Sequence, residues 1–290
     1  SMMTLSNTIT IDVNKYSTGS EVRGTYTGKL LAIKLRNSGI VNLIVDGEYY
    51  QKITVGSGNN YVINFGTEES RYIQFVQDCV RTSSYAAGFI EEVYTQSAKW
   101  TSDNETTVTD RLLVISDSIG QGLFSTNNSW DSYSMLFRRN DNLNTIIGGY
   151  GGATLQELYN DLSMVTDWIT QAFSNVTGNK KILINIGTND YAAATSAEDI
   201  RTMIDALLDH VYSLDNSFDI YLLSPFNRNG ETSLLSDYRY EYSASSGARA
   251  YVSYIDGNGI IDPATQTTDG VHPTTAGQLA IYNQIKTTIL

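Results

Sequence analysis

Leu112-Leu113-Val114-Ile115-Ser116-Asp117-Ser118-Ile119-Gly120 passes from four consecutive apolar residues straight into a small polar turn. An aliphatic run this short, closed by turn residues, reads as a buried strand rather than a helix. Similar runs recur at Ile182-Leu183-Ile184-Asn185-Ile186 and Ile220-Tyr221-Leu222-Leu223. Helical patterns lie between them. Thr154 and Glu157 stand at capping-box spacing, and Leu155, Leu158, Leu162, Val165 and Ile169 follow at helical steps. Ile200, Met203, Ile204, Leu207, Leu208 and Val211 form a second stripe, and Thr275 with Gln278 opens a last helix carrying Leu279, Tyr282, Ile285 and Ile289. Strands alternating with helices predict a three-layer α/β/α domain around a mostly parallel sheet.

Upstream the period changes. Thr8 to Val13, Leu31 to Arg36 and Val41 to Val45 alternate apolar with polar residues, and Asp46-Gly47 ahead of Tyr49 to Ile53 is a hairpin signal. Further runs are Tyr61 to Phe65, Tyr72 to Val76 and Phe89 to Tyr94, with no helical stretch among them. About seven short strands predict an all-β sandwich, jelly-roll-like, over residues 1–97. The polar residues 98–109 read as a linker, and residues 110–290 as the α/β domain.

The chain has 290 residues, enough for two such domains, with 41% apolar and 17% charged residues. Its net charge of −12 disfavours nucleic acid and anionic membrane surfaces as partners. Cys79 is the one cysteine and there are two histidines, which excludes an intrachain disulfide and a structural zinc site. No apolar run is long enough to span a bilayer, and no signal peptide is visible behind the Ser1-Met2 start. The Gly148–Gly152 stretch lacks the G-x-G-x-x-G spacing, and no Walker A pattern occurs, so nucleotide binding has little support.

In an open parallel sheet, function collects at the carboxyl ends of the strands. Ser118 follows the first strand at a tight turn that can expose its hydroxyl. Gly148-Gly149-Tyr150-Gly151-Gly152 follows a run near Asn144 to Ile147, and a glycine there lets a backbone N–H approach a substrate oxygen. Gly187-Thr188-Asn189-Asp190 offers a side-chain amide at the same rim. Asp269-Gly270-Val271-His272-Pro273 places a carboxylate and an imidazole on one loop before the last helix. A nucleophile, a base, an orienting acid and oxyanion donors are thus all present.

Over about residues 110–290 these four segments, in this order, resemble the SGNH/GDSL hydrolase family. The resemblance implies a flavodoxin-like catalytic domain in which Ser118 is the nucleophile, His272 the base and Asp269 its partner. It implies an oxyanion hole of the Ser118 N–H, the Gly152 N–H and the Asn189 side chain, with no metal and no cofactor. One departure is visible: the usual Gly-Asp-Ser opening is Ser116-Asp117-Ser118 here. The family includes lipases, thioesterases and carbohydrate esterases, so the β domain has to narrow the choice. A β-sandwich ahead of such a domain looks like the arrangement in two-domain carbohydrate esterases and in tail-associated esterases of bacterial viruses.

The expected activity is removal of small acyl groups, O-acetyl groups above all, from a carbohydrate. Tyr150 and Tyr191 are expected substrate contacts, since aromatic faces pack on sugar rings. The Asn-, Thr-, Ser- and Tyr-rich, cysteine-poor composition points to an extracellular or virion-associated protein. A lipid or thioester hydrolase, and a glycan-binding protein with an inactive SGNH domain, are the alternatives. Asp117 and Asp190 are expected to brace their loops, His210 to sit at a helix surface, and Trp168 to be core.

Overall fold

The computed structural model describes residues 9–10, 17–18, 21–35, 39–56, 59–78, 90–95, 100–102 and 109–290. The first part is strand: β1 (Ile9–Thr10), β2 (Ser17–Thr18), β3 (Glu21–Leu35), β4 (Gly39–Val45), β5 (Glu48–Val55), β6 (Asn60–Gln77), β7 (Ile90–Thr95) and β8 (Trp100–Ser102). All but β2 join one sheet in the order β1-β7-β3-β6-β4-β5, with β8 also on β3. β8 flanks β3 at Gly24 to Tyr26, and β7 flanks it at Leu31 to Leu35. A register shift at Gly28/Leu30 lies between the two stretches, where a bulge bends the strand. One core lies against this sheet and includes Tyr26, Leu31, Leu43, Ile63, Phe75 and Val93.

The hairpin signal is borne out: Asp46 (φ 52°) and Gly47 (φ 86°) form a two-residue turn between β4 and β5. Two readings are corrected. Tyr61–Phe65 and Tyr72–Val76 belong to one strand, β6, which pairs with β3 on both sides of a register shift between Asn64 and Glu69. Trp100–Ser102, inside the expected linker, pair with β3. Cys79 lies outside the described residues.

The second part follows with β9 (Arg111–Ser116), α1 (Tyr133–Asp141), β10 (Asn144–Gly148), α2 (Leu155–Asn160), α3 (Leu162–Phe173), β11 (Lys180–Asn185), α4 (Thr188–Ala192) and α5 (Ala197–Leu214). It ends with β12 (Asp219–Leu223), α6 (Ser233–Gly247), β13 (Val252–Ile255), α7 (Pro263–Gln266) and α8 (Thr275–Ile289). β13-β12-β11-β9-β10 are parallel neighbours, and β2 pairs antiparallel with the β10 edge. Alternation along β9 fills both layers. Leu113 and Ile115 pack with residues of α2, α3, α5 and α6, while Leu112 and Val114 pack with residues of α1 and α8. The chain leaves β9 for β10 on one side and reaches β11 on the other, so β9 sits at the topological switch point.

The predicted helix after Thr154 is two helices, because Asp161 (φ −140°) ends α2 and caps α3 through Ser163 N–H. Thr274, not Thr275, caps α8; Gln278 instead accepts from Tyr133 N–H at 2.8 Å and donates to the Ile119 carbonyl at 3.0 Å.

The β domain is packed against the α/β domain. Ile44 and Val76 join the core that contains α1 and α8. Asp78 accepts from Ser129 N–H at 3.1 Å and from Asn128 Nδ2 at 3.0 Å, and Asn42 Nδ2 donates to Ser129 Oγ at 3.1 Å. These bonds fasten the segment between β9 and α1, which contains Ser118.

Candidate active site

Asp117, Ser118 and Ile119 turn sharply at the end of β9. Asp117 Oδ1 accepts from Ile119 N–H at 2.8 Å, and the Ser118 carbonyl accepts from Leu123 N–H at 3.0 Å. Glycine is demanded nearby: a Cβ on Gly149 (φ 137°) would lie 1.7 Å from the Ser116 carbonyl oxygen. The departure at Ser116 is accommodated by Gly120, since any Cβ there would meet Ser116 Oγ at 2.3 Å.

Ser118 Oγ lies 2.9 Å from His272 Nε2, and His272 Nδ1 lies 2.7 Å from Asp269 Oδ2. Asp269 Oδ1 also accepts from His272 N–H at 2.8 Å and Val271 N–H at 3.0 Å. Burial alone would raise the Asp269 pKa, but the His272 and Val271 donors outweigh it and hold the carboxyl below its ordinary range. The loop is pinned at both ends, Thr268 N–H donating to the His272 carbonyl (2.9 Å) and Asn229 N–H to the Gly270 carbonyl (2.8 Å).

The other two segments converge on the same turn. Asn189 Nδ2 donates to the Ala153 carbonyl at 2.8 Å and more loosely to Asp117 Oδ2 at 3.3 Å. It thus ties the residue after Gly152 to the residue before Ser118. Gly152 has φ 87°, with open space where a side chain would stand. Asp190 accepts from Leu155 N–H (2.8 Å) and Gln156 N–H (3.1 Å), locking the start of α2 onto α4. Asp117 and Asp190 therefore brace their loops as expected. Burial pushes the Asp117 carboxyl up to about 7, opposed by Ile119 N–H and reinforced by the charge of Asp190. Burial also raises Asp190, against the Leu155 and Gln156 donors.

Of the two tyrosines, Tyr150 departs from expectation. Tyr150 is 4% exposed, packs in the core and gives its hydroxyl to Glu157 Oε2 at 3.0 Å, so it offers no face to a ligand. Tyr191 is half-buried, and its hydroxyl accepts from Thr232 N–H at 2.9 Å, bracing the β12–α6 loop. His210 Nε2 meets Thr166 Oγ1 at 2.9 Å, joining α5 to α3 away from Ser118. Trp168 is core, 4% exposed.

Phe124 is a residue that the sequence patterns do not single out. The residue is 51% exposed, and its ring stands edge-on to the His272 ring, centroids 5.0 Å apart. Its backbone is left-handed (φ 69°), a conformation that costs a bulky residue about 1–2 kcal/mol. A large apolar residue closing the polar Gly120-Gln121-Gly122 stretch was the available signal.

A hydroxyl, an imidazole and a carboxylate in a hydrogen-bonded line, at the switch point of a parallel sheet, are the equipment of a serine-dependent acyl hydrolase. Residues 117–280 match the GDSL-like Lipase/Acylhydrolase family, and the chain belongs to that family. Several solved structures share the two-domain fold. A family two carbohydrate esterase from Clostridium thermocellum, in complex with cellohexaose, has a TM-score of 0.71 at 17% identity, covering 94% of this chain and 92% of that one. A family two carbohydrate esterase from Cellvibrio japonicus has a TM-score of 0.72 at 15% identity, covering 98% and 92%. An acetyl xylan esterase from Butyrivibrio proteoclasticus has a TM-score of 0.64 at 13% identity, covering 94% and 91%. Among curated proteins nothing matches the chain. Among the described residues no helix is long and apolar enough to cross a membrane, and no group of three or more His, Cys, Asp and Glu residues is arranged to hold a metal.

Proposed function

We propose that the protein is a serine esterase that removes small acyl groups, principally O-acetyl groups, from a carbohydrate. The observation that carries this reading is the line from Ser118 Oγ through His272 to Asp269, at 2.9 and 2.7 Å. His272 takes the Ser118 proton as Oγ attacks the ester carbonyl, and Asp269 orients the ring and stabilises the imidazolium. The developing oxyanion sits among the Ser118 N–H, the Gly152 N–H and the Asn189 amide, whose looser contact, Nδ2 to Asp117 Oδ2 at 3.3 Å, gives way to it. His272 then protonates the departing alcohol, and water hydrolyses the acyl-enzyme by the same path in reverse. Every step is carried by side chains and backbone donors of this chain.

The substrate reading rests on two supports. The solved relatives include carbohydrate esterases, one of them with cellohexaose bound. Phe124 stands beside His272, the residue that hands its proton to the alcohol, so an apolar ring face is available to a sugar on the leaving-group side. The extracellular or virion-associated placement belongs with this reading.

Asn189→Ala is expected to lower kcat by about 10²–10³ with a smaller change in KM, the usual loss for one oxyanion donor. Steady-state kinetics on p-nitrophenyl acetate check it, and a near-normal kcat removes Asn189 from the oxyanion hole. Acyl preference tests the substrate class. Across p-nitrophenyl esters from acetate to palmitate, acetate is expected to be fastest, with octanoate slower by about tenfold or more. A lipid-type groove would gain roughly 0.8 kcal/mol per buried methylene, so rates rising with chain length move the assignment to a lipid hydrolase. Inertness toward every ester, with glycan binding retained, would indicate a binding protein.

A further inference from the structure

The chain carries a net charge of −12, and several of its partly buried arginines pair with carboxylates. Arg239 pairs with Glu231 at 2.9 Å, Arg249 with Asp209 at 2.8 Å, and Arg201 with Asp205 at 2.8 Å. Arg228 breaks this pattern. It is half-buried on the loop between β12 and α6, and among the described residues no carboxylate lies within salt-bridge distance of it. Glu231, three residues on, is engaged instead by Arg239 and, at 3.1 Å, by Asn227 Nδ2.

The guanidinium is nevertheless held in one place. Its carbon lies 5.0 Å from the centre of the Tyr191 ring, and Tyr191 is itself braced by Thr232. Nη1 makes one long contact, 3.4 Å, to the Thr188 carbonyl, while Nε is buried without a hydrogen-bond partner. The edge left for a ligand is therefore the Nη1–Nη2 end. Arg228 also lies where two parts of the candidate site meet. Thr188 and Tyr191 flank Asn189 in α4, and the next residue, Asn229, is bonded to Gly270 in the His272 loop.

We infer that Arg228 recognises an anion at the rim of the catalytic site, and that the acylated sugar carries a ring carboxylate, as uronic and sialic acids do. This inference rests on the esterase reading and narrows its substrate class. A planar guanidinium that no carboxylate of the described residues pairs with matches a planar carboxylate, and its place over the Tyr191 ring holds it without neutralising its charge. The overall negative charge does not oppose this contact strongly. At physiological ionic strength charges beyond about 8 Å are largely screened, whereas a contact pair is not.

The test compares an O-acetylated methyl glucuronoside with the same sugar carrying a carboxamide in place of the carboxylate. The wild-type enzyme is expected to favour the carboxylate by about tenfold in kcat/KM, mainly through KM, as one charge-assisted hydrogen-bonded pair would. In Arg228→Gln that ratio should fall to about one, and in Arg228→Lys to an intermediate value. A wild-type ratio near one, or a ratio unmoved by Arg228→Gln, overturns the proposal; equal losses on both sugars would show that Arg228 only braces Tyr191. Calorimetric binding of both sugars to Ser118→Ala, with and without Arg228→Gln, measures the same preference without turnover. If the wild type hydrolyses no ester, p-nitrophenyl acetate included, the esterase reading fails, and this binding arm still decides for or against Arg228.

Discussion

Ser118→Ala should lower turnover of p-nitrophenyl acetate by about three orders of magnitude or more, with the thermal midpoint nearly unchanged. The loss is large because the hydroxyl is the bond-forming atom, and the oxyanion donors alone have no acyl acceptor to work with. The fold is spared because the substitution removes one oxygen whose partner is His272, at 2.9 Å. The turn itself is held by other atoms, among them Asp117 Oδ1 on Ile119 N–H and the Ser118 carbonyl on Leu123 N–H. Steady-state rates with a melting curve on the same sample check both halves. A near-normal rate in a folded variant would remove Ser118 from the mechanism.

His272→Ala is the second large effect, also about 10³-fold or more, because one imidazole serves both proton transfers. The sequence contains one other histidine, so the control is specific. His210 is tied to Thr166 across two helices, and His210→Ala is expected to keep turnover within about twofold of wild type. Acid should remove activity, since a protonated imidazole cannot accept the Ser118 proton. Asp269 is not expected to be the group lost first. Its carboxyl is held below the ordinary carboxylate range, so it keeps its charge to lower pH than an unperturbed aspartate. Kinetics of both histidine variants beside a wild-type pH profile check this. Loss of activity in His210→Ala with retention in His272→Ala would overturn the role of the C-terminal loop.

Much of this was legible in the residues, for a physical reason that also explains the gaps. β9, β11 and β12 are buried on both faces and therefore read as apolar runs. α5 buries one stripe and showed it. α1 did not, because Tyr133 to Phe137 are all buried and leave no period to see. α6 packs through Tyr238 and Tyr242, whose hydroxyls reach the Thr195 and Ile186 carbonyls, so its buried face looks half polar. β13 is a short edge strand with one buried residue.

The site divided in the same way. Ser118, Asn189, Asp269 and His272 sit in local turn patterns that carry their own signature, and the fold brings them together. Tyr150 was misread because sequence adjacency to the site does not say which way a ring turns, and here the ring turns into the core. Phe124 and Arg228 matter through loops that meet only in three dimensions. The Phe124 carbonyl accepts from Thr268 Oγ1 (3.4 Å), and the Arg228 loop joins the same segment at Gly270. The linker reading missed how closely the two domains are joined: Asp78 takes up the Ser129 N–H, and Val76 shares a core with α1 and α8.

The most direct test of the esterase account is covalent. A fluorophosphonate probe reacts with a serine made nucleophilic by a neighbouring base and leaves a stable adduct. Intact-mass measurement followed by peptide mapping should find one adduct per chain, on the peptide containing Ser118, and none in Ser118→Ala. An adduct on another residue, or equal labelling of Ser118→Ala, would contradict it.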